Sequence, residues 1–140
     1  MNGKRITIDT NILVYSIDVD AGERHERSKQ FVDEAVDKNC VLTLQALSEF
    51  YWVVTRKRKM PHEDAKAQVD DWQLLFPIIL AQPSTLRVAI TAVMDYRLAF
   101  WDAMMWATAR QNGVEILYSE DFQNEQNIGG VQVLNPFYSS

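Results

Sequence analysis

The chain is expected to fold as an α/β protein, a three-layer α/β/α sandwich around a parallel central sheet. Two observations predict this. Short apolar strand candidates alternate with amphipathic helical stretches along the whole length. That alternation is the signature of strand–helix–strand units, whose strands pair in parallel with helices on both faces. Acids recur where strand candidates give way to helices, and in such folds the carboxyl ends of the strands form the ligand crevice.

The first strand is Ile6, Thr7 and Ile8, apolar and polar in alternation, ending on Asp9. Ile12, Leu13 and Tyr15 start a helix at once, and residues 18–22 form a polar break. Residues 23–37 read as an amphipathic helix with Phe31, Val32, Ala35 and Val36 inward, and Asn39 suits a left-handed stop. Residues 40–44 are the second strand. Residues 45–59 resume helical spacing, burying Ala46, Phe50, Val53 and Val54 and trailing out through Arg56, Lys57, Arg58 and Lys59.

Pro61 can open the next helix at its first position, and Ala65, Val69, Trp72 and Phe76 make one coherent face. Residues 77–81 are a short buried strand. Ser84 is the expected N-cap of a helix carrying Leu86, Ala89, Ile90, Val93 and Met94. From Trp101 to about Gln111 the pattern is apolar nearly all round, as in a helix packed on several sides, and Gly113 stops it. Residues 114–118 are a strand closed by Ser119, Glu120 and Asp121. Gly129 and Gly130 then turn the chain into a last strand over 131–134.

At 140 residues, with no internal linker, repeat or low-complexity tract, the expectation is a single domain over 1–140. A hydrophobic share of 47% against 24% charged is that of a globular chain with a core. One cysteine, Cys40, allows neither an internal disulfide nor a thiolate metal cluster and fits a reducing compartment. Without a leader-like start or a membrane-length apolar run, the expected location is the cytoplasm. The formal charge of −5 argues against a nucleic-acid partner only while every acid is counted as free. Acids that ligate a divalent cation drop out of that count, because the ion's own charge sets the local field.

Four acids can reach the same rim of the sheet: Asp9 after the first strand, Glu49 early in the helix after the second, Asp102 opening the apolar helix, and Asp121 after the following strand. Each alone has an ordinary reading as a cap, a turn former or a partner of the helix dipole. Four converging without cations would repel one another and raise each other's pKa. A divalent cation resolves that conflict, and an oxygen-only ligand set suits Mg2+ or Mn2+ rather than zinc.

The local words are more specific than any single acid. Asp9-Thr10-Asn11-Ile12-Leu13-Val14-Tyr15, Ser48-Glu49-Phe50, Phe100-Trp101-Asp102-Ala103 and Ser119-Glu120-Asp121-Phe122 occur in this order, followed by Ile128-Gly129-Gly130 and Asn135-Pro136-Phe137. Together they resemble the PIN-domain family of metal-dependent ribonucleases, and most of all the VapC-type toxins of toxin–antitoxin pairs, over essentially the whole chain. The resemblance implies that Asp9, Glu49, Asp102 and Asp121 form a metal-binding catalytic quartet. Thr10, Asn11 and Ser119 would orient those carboxylates or the attacking water. It also implies hydrolysis of RNA phosphodiesters with Mg2+ or Mn2+, a protein antitoxin that blocks the site, and a homodimer.

Competing readings are weaker. A phosphoryl-transfer enzyme with Asp9 as nucleophile would want an acid at position 11, which is Asn11, and a lysine near a later strand end. A phospho-accepting signalling module would want the same lysine. A catalytically silent or housekeeping member of the family, acting through RNA or partner binding, is the remaining alternative. The basic run 56–59 reads first as a solvated helix end complementing the dipole and second as an RNA contact. His25 and His62 read as exposed helix residues away from the motifs. Of Trp52, Trp72, Trp101 and Trp106, core or interface residues by default, only Trp101 has a case for lining the site.

Overall fold

The computed structural model describes residues 3–122 and 126–137. Its strands and helices follow in the order β1 (Ile6–Ile8), α1 (Thr10–Ile17), α2 (Glu23–Ala35), β2 (Leu42–Thr43), α3 (Leu44–Arg56), α4 (His62–Leu75), β3 (Ile78–Ile79), α5 (Pro83–Tyr96), α6 (Phe100–Gln111), β4 (Ile116–Tyr118), β5 (Gln126–Ile128) and β6 (Val131–Leu134). A 3₁₀ turn at Val19–Ala21 fills the polar break after α1.

The central strands run β1-β4-β6-β5, with β1, β4 and β6 parallel. The parallel pair β2-β3 extends this sheet beyond β1, where the Ile6 N–H donates to the Asn39 carbonyl and the Val41 N–H to the Ile6 carbonyl, both at 2.9 Å. Helices cover this mostly parallel sheet in an α/β/α sandwich, α1 packing on α2 and α3, and α5 on α6. The sheet is hydrophobic on both faces, as buried parallel strands must be: Ile6, Ile8, Leu42, Leu117, Val131 and Val133 are all closed to solvent. Phe50 and Val54 of α3 are fully buried, and Phe50 meets Trp72 of α4 edge-on, with ring centroids 4.7 Å apart. Burying a side chain of that size is worth about 1.5–3 kcal/mol.

Register is what builds the rim. Ile8 pairs with Tyr118, so the residues that follow, Asp9 and Ser119, emerge side by side at the carboxyl ends of β1 and β4. The Asp9 N–H donates to the Tyr118 carbonyl and the Ser119 N–H to that of Leu134, each at 2.9 Å, continuing the ladder to the edge.

Several expectations are corrected. β5 was not foreseen; it pairs antiparallel with β6 through the Gly129-Gly130 turn, where both glycines have positive φ (56° and 91°). A Cβ on Gly129 would stand 3.0 Å from the Trp106 ring, so the close approach as well as the turn needs glycine there. Asn39 is not left-handed; the positive-φ residues other than glycine, among those described, are Arg58 and Arg97. Val36 lies beyond α2 and is exposed, and Leu80 lies beyond β3 and is exposed too. Pro61 is the N-cap of α4, one position earlier than expected.

The N-terminus of α5 is also set differently. Gln82 is the N-cap and Thr85 closes a capping box, with Pro83 at the first position, so Ser84 is already inside the helix. The buried face of α5 is Thr85, Ala89 and Ala92, whereas Leu86, Ile90 and Met94 face solvent. Small residues let α5 approach α6 closely, and this close packing outweighs the bulk of the larger side chains. His25 is half-buried rather than exposed, its Nδ1 2.8 Å from the Tyr15 carbonyl.

Candidate metal centre

Asp9 is the fixed point of the rim. It caps α1, its Oδ1 accepting from the Thr10 N–H at 2.7 Å, while its Oδ2 accepts from the Ser119 hydroxyl at 2.6 Å. Only 5% of it reaches solvent. Its carboxyl is raised to about 7, chiefly by burial, with the Ser119 hydrogen bond pulling it down and the neighbouring Asp121 charge adding to the rise.

Ser119 is fully buried and serves two carboxylate residues at once. Its hydroxyl donates to Asp9 and accepts from the Asp121 N–H at 3.1 Å. Asp121 in turn accepts from Asn11 Nδ2, at 3.2 and 3.3 Å to its two oxygens. Asp102 enters from α6, in the first turn of that helix. Half-buried, its carboxyl is raised to about 6 by desolvation, then by Asp121 and Glu49. A left-handed Arg97 (φ 59°) ends α5 and reverses the chain, so that α6 starts at the rim.

Carboxylate oxygens of Asp9, Asp102 and Asp121 all lie within 4.8 Å of one another. Glu49, the fourth acid singled out in the sequence, stands outside that group of three. Its Oε1 accepts from the Thr10 hydroxyl and from Gln45 Nε2, both at 3.1 Å, and its charge acts on Asp102. All seven sequence-selected residues therefore meet in one connected network: three acids in the cluster, Glu49 beside it, and Thr10, Asn11 and Ser119 holding them.

Among the described residues, no Lys, Arg or His forms an ion pair with any of these four acids. Three carboxylates this close, unneutralised and partly desolvated, make a hard, oxygen-only donor set matched to a small divalent cation.

Two supports were not read from the sequence. Gln45 braces Glu49 and also donates to the Trp101 carbonyl at 3.0 Å. Its spacing of four residues before Glu49 on a helix was the available signal. Glu120 accepts from the Tyr15 hydroxyl at 2.5 Å and pairs with Arg24 at 3.1 Å, which pins the segment leading into Asp121. No local signal could reveal that second set, since its members lie far apart in the sequence. Two of the four residues of the basic run are engaged: Arg56 lies over the Trp52 ring at 4.3 Å, and Lys59 pairs with Asp18 and Asp20 at 3.3 and 3.4 Å.

Known proteins share this fold. The chain is similar to a structure of a toxin–antitoxin complex from Klebsiella pneumoniae, at 23% identity and a TM-score of 0.68, covering 94% of this chain and 98% of that one. It is similar to VapC20 of Mycobacterium tuberculosis, described as a sarcin–ricin loop cleaving toxin, at 18% identity and a TM-score of 0.65, covering 83% and 89%. It also resembles a DNA-bound VapBC from Salmonella typhimurium, at 12% identity and a TM-score of 0.67, covering 94% and 97%. At these identities the likeness is one of fold. No curated protein matches the sequence. The PIN domain family profile matches residues 6–126, a span that runs from the first strand past Asp121. With that match over most of its length, the chain belongs to the PIN domain family.

Proposed function

We propose that this protein is a metal-dependent endoribonuclease that hydrolyses RNA phosphodiester bonds, and that it is the toxin of a toxin–antitoxin pair. The observation that carries the reading is the convergence of Asp9, Asp102 and Asp121 within 4.8 Å with no cationic side chain to neutralise them. Membership of the PIN family supports it, as does the likeness to toxins, one of them described as cleaving the sarcin–ricin loop.

In this reading Asp9, Asp102 and Asp121 hold Mg2+ or Mn2+, with Glu49 as the fourth acid at the edge. A bound divalent cation supplies Lewis acidity, lowering the pKa of a water and shielding the charge that builds on the phosphate. The chain's own work is positioning. Ser119 locks the Asp9 carboxylate and the Asp121 backbone in one arrangement, Asn11 orients the Asp121 carboxylate, and Thr10 holds Glu49. Histidine has no part in it, since His25 and His62 bond elsewhere, to Tyr15 and Tyr51.

The partners in this reading are an RNA substrate, a protein antitoxin that closes the acidic site, and a second copy of the chain. The setting is the cytoplasm; no helix among the described residues is long and apolar enough to cross a membrane. The test is RNA cleavage by purified protein with Mg2+ or Mn2+, comparing Asp9→Asn and Asp102→Asn. Cleavage that depends on the cation and fails in both variants is expected; cleavage indifferent to EDTA ends the proposal. Tight Mn2+ binding without cleavage would instead favour a catalytically silent member of the family. Growth arrest on induction, relieved by a small neighbouring protein, separates a toxin from a housekeeping nuclease.

A further inference from the structure

Beside the acidic rim lies a cleft of about 490 Å3 whose lining includes Leu44, Gln45, Glu49, Leu80, Trp101 and Met104. Glu49 belongs to both cleft and rim, so an occupant of the cleft reaches the carboxylates. Trp101 adjoins Asp102 in α6 and is 61% exposed. Exposure of so large an aromatic forgoes substantial burial, and an indole left in water next to a polar site is surface available for a ligand.

This indole is held. Gln45 donates to both the Trp101 carbonyl and Glu49, tying the aromatic residue to the acid, and Phe100 packs edge-on against the Trp101 ring with centroids 4.9 Å apart. The contrast with Trp52 is instructive. Trp52 is similarly exposed, at 57%, but the Arg56 guanidinium lies over its ring. Among the described residues no cationic group lies over Trp101.

We propose that Trp101 is a base-stacking platform: an unpaired base next to the phosphate held at the acidic rim lies in this cleft against the indole. The proposal rests on the ribonuclease reading. Charge favours a base over other occupants of nucleic-acid character. Nucleic-acid affinity ordinarily comes from cations on backbone phosphates, yet among the described residues no Lys, Arg or His lines this cleft, whose only charged side chain is Glu49. Stacking on an aromatic face needs no charge and accepts any base. Trp101 is in this role a positioning residue for substrate, one step removed from the carboxylates.

The test uses the full chain with Mn2+ and a pool of short single-stranded RNAs, following kcat and KM on the member cleaved best. Trp101→Ala is expected to raise KM about 5- to 100-fold, with kcat changed less than about threefold. Trp101→Phe recovers most of the loss, Trp101→Leu does not, and Trp52→Ala behaves as the parent protein. An abasic nucleotide placed at each position in turn, assayed on the unmutated protein, should give a loss of the same size at one position beside the cut. That measurement does not depend on any variant folding.

An unchanged KM for Trp101→Ala, a leucine variant equal to the phenylalanine one, or indifference to every abasic site overturns the platform while leaving the nuclease standing. Failure of the unmutated protein to cleave any RNA removes the nuclease and the platform together. Loss of a protein partner by Trp101→Ala with RNA kinetics intact assigns the cleft to protein docking and overturns the proposal.

Discussion

The two sides of the acidic rim are built in opposite ways. On the Asp9 side the acid is nearly closed to solvent, bonded through both carboxylate oxygens, and backed by a serine that serves two carboxylate residues. On the Glu49 side the acid is half-buried on a helix face, shares one oxygen between Thr10 and Gln45, and opens onto an apolar cleft. The difference teaches that one side is organised to concentrate negative charge at a fixed point, and the other to meet a ligand of variable shape. A buried carboxylate with a raised pKa, such as Asp9, stores unfavourable free energy that a cation releases.

Breaking the Asp9 side should have the largest consequences. Asp9→Asn is expected to lower cation-dependent RNA cleavage by more than about 100-fold. The same substitution should raise the stability of the metal-free protein at pH 8 by about 1–3 kcal/mol, because it removes a desolvated charge. Denaturant unfolding in EDTA checks the second half, and a less stable variant would sink the account of Asp9. Ser119→Ala leaves Asp9 Oδ2 and the Asp121 N–H without their shared partner. Mn2+ affinity measured by calorimetry should fall about 10- to 100-fold, as for other outer supports of metal ligands.

Gln45→Ala sharpens the comparison from the other side. It frees Glu49 and the Trp101 carbonyl together, and should cost about two- to tenfold in kcat/KM with little change in cation affinity. A loss of Mn2+ binding as great as that of Ser119→Ala would erase the distinction between the two sides.

The smallest effect is on pH. Asp9 and Asp102 are raised to about 7 and about 6, above the ordinary 3.8, so the folded protein binds their protons more tightly than the unfolded chain. Metal-free protein should therefore gain stability as pH falls through 7 and 6, before general acid unfolding intervenes. A rise in Tm of about 2–5 °C between pH 8 and pH 5.5 is expected. Saturating Mn2+ should flatten or reverse this trend, because cation and protons compete for the same oxygens.

Much of this was legible in the sequence because the site is built from strand ends. A strand of alternating Ile6-Thr7-Ile8 followed by Asp9 says where the chain stops being sheet, and four motifs in order name the residues that gather there. What misled were positions decided by packing between elements. The Leu86, Ile90 and Met94 stripe has good helical spacing, yet α5 turns Ala89 and Ala92 inward because close contact with α6 favours small side chains. β5 escaped notice because Gln126 and Asn127 carry little strand propensity and owe their place to the turn at Gly129-Gly130. Gln45 was passed over because its one signal, the four-residue spacing to Glu49, is shared by many helical pairs and stands out only once its partners are known.

Local chemistry alone, written in the order of residues, determined that this is an α/β chain with carboxylates at its strand ends and motifs of one family. The three-dimensional packing decided which of those acids draw within reach of a single ion, that Glu49 stands slightly apart, and that Trp101 rather than Trp52 presents an open ring beside them. The physical reason is range. Strand and helix signals act over a few neighbouring residues, whereas the charge repulsion at Asp9 comes from Asp121 and Asp102, far along the chain, the first brought beside it by the register of β1 on β4 and the second by α6.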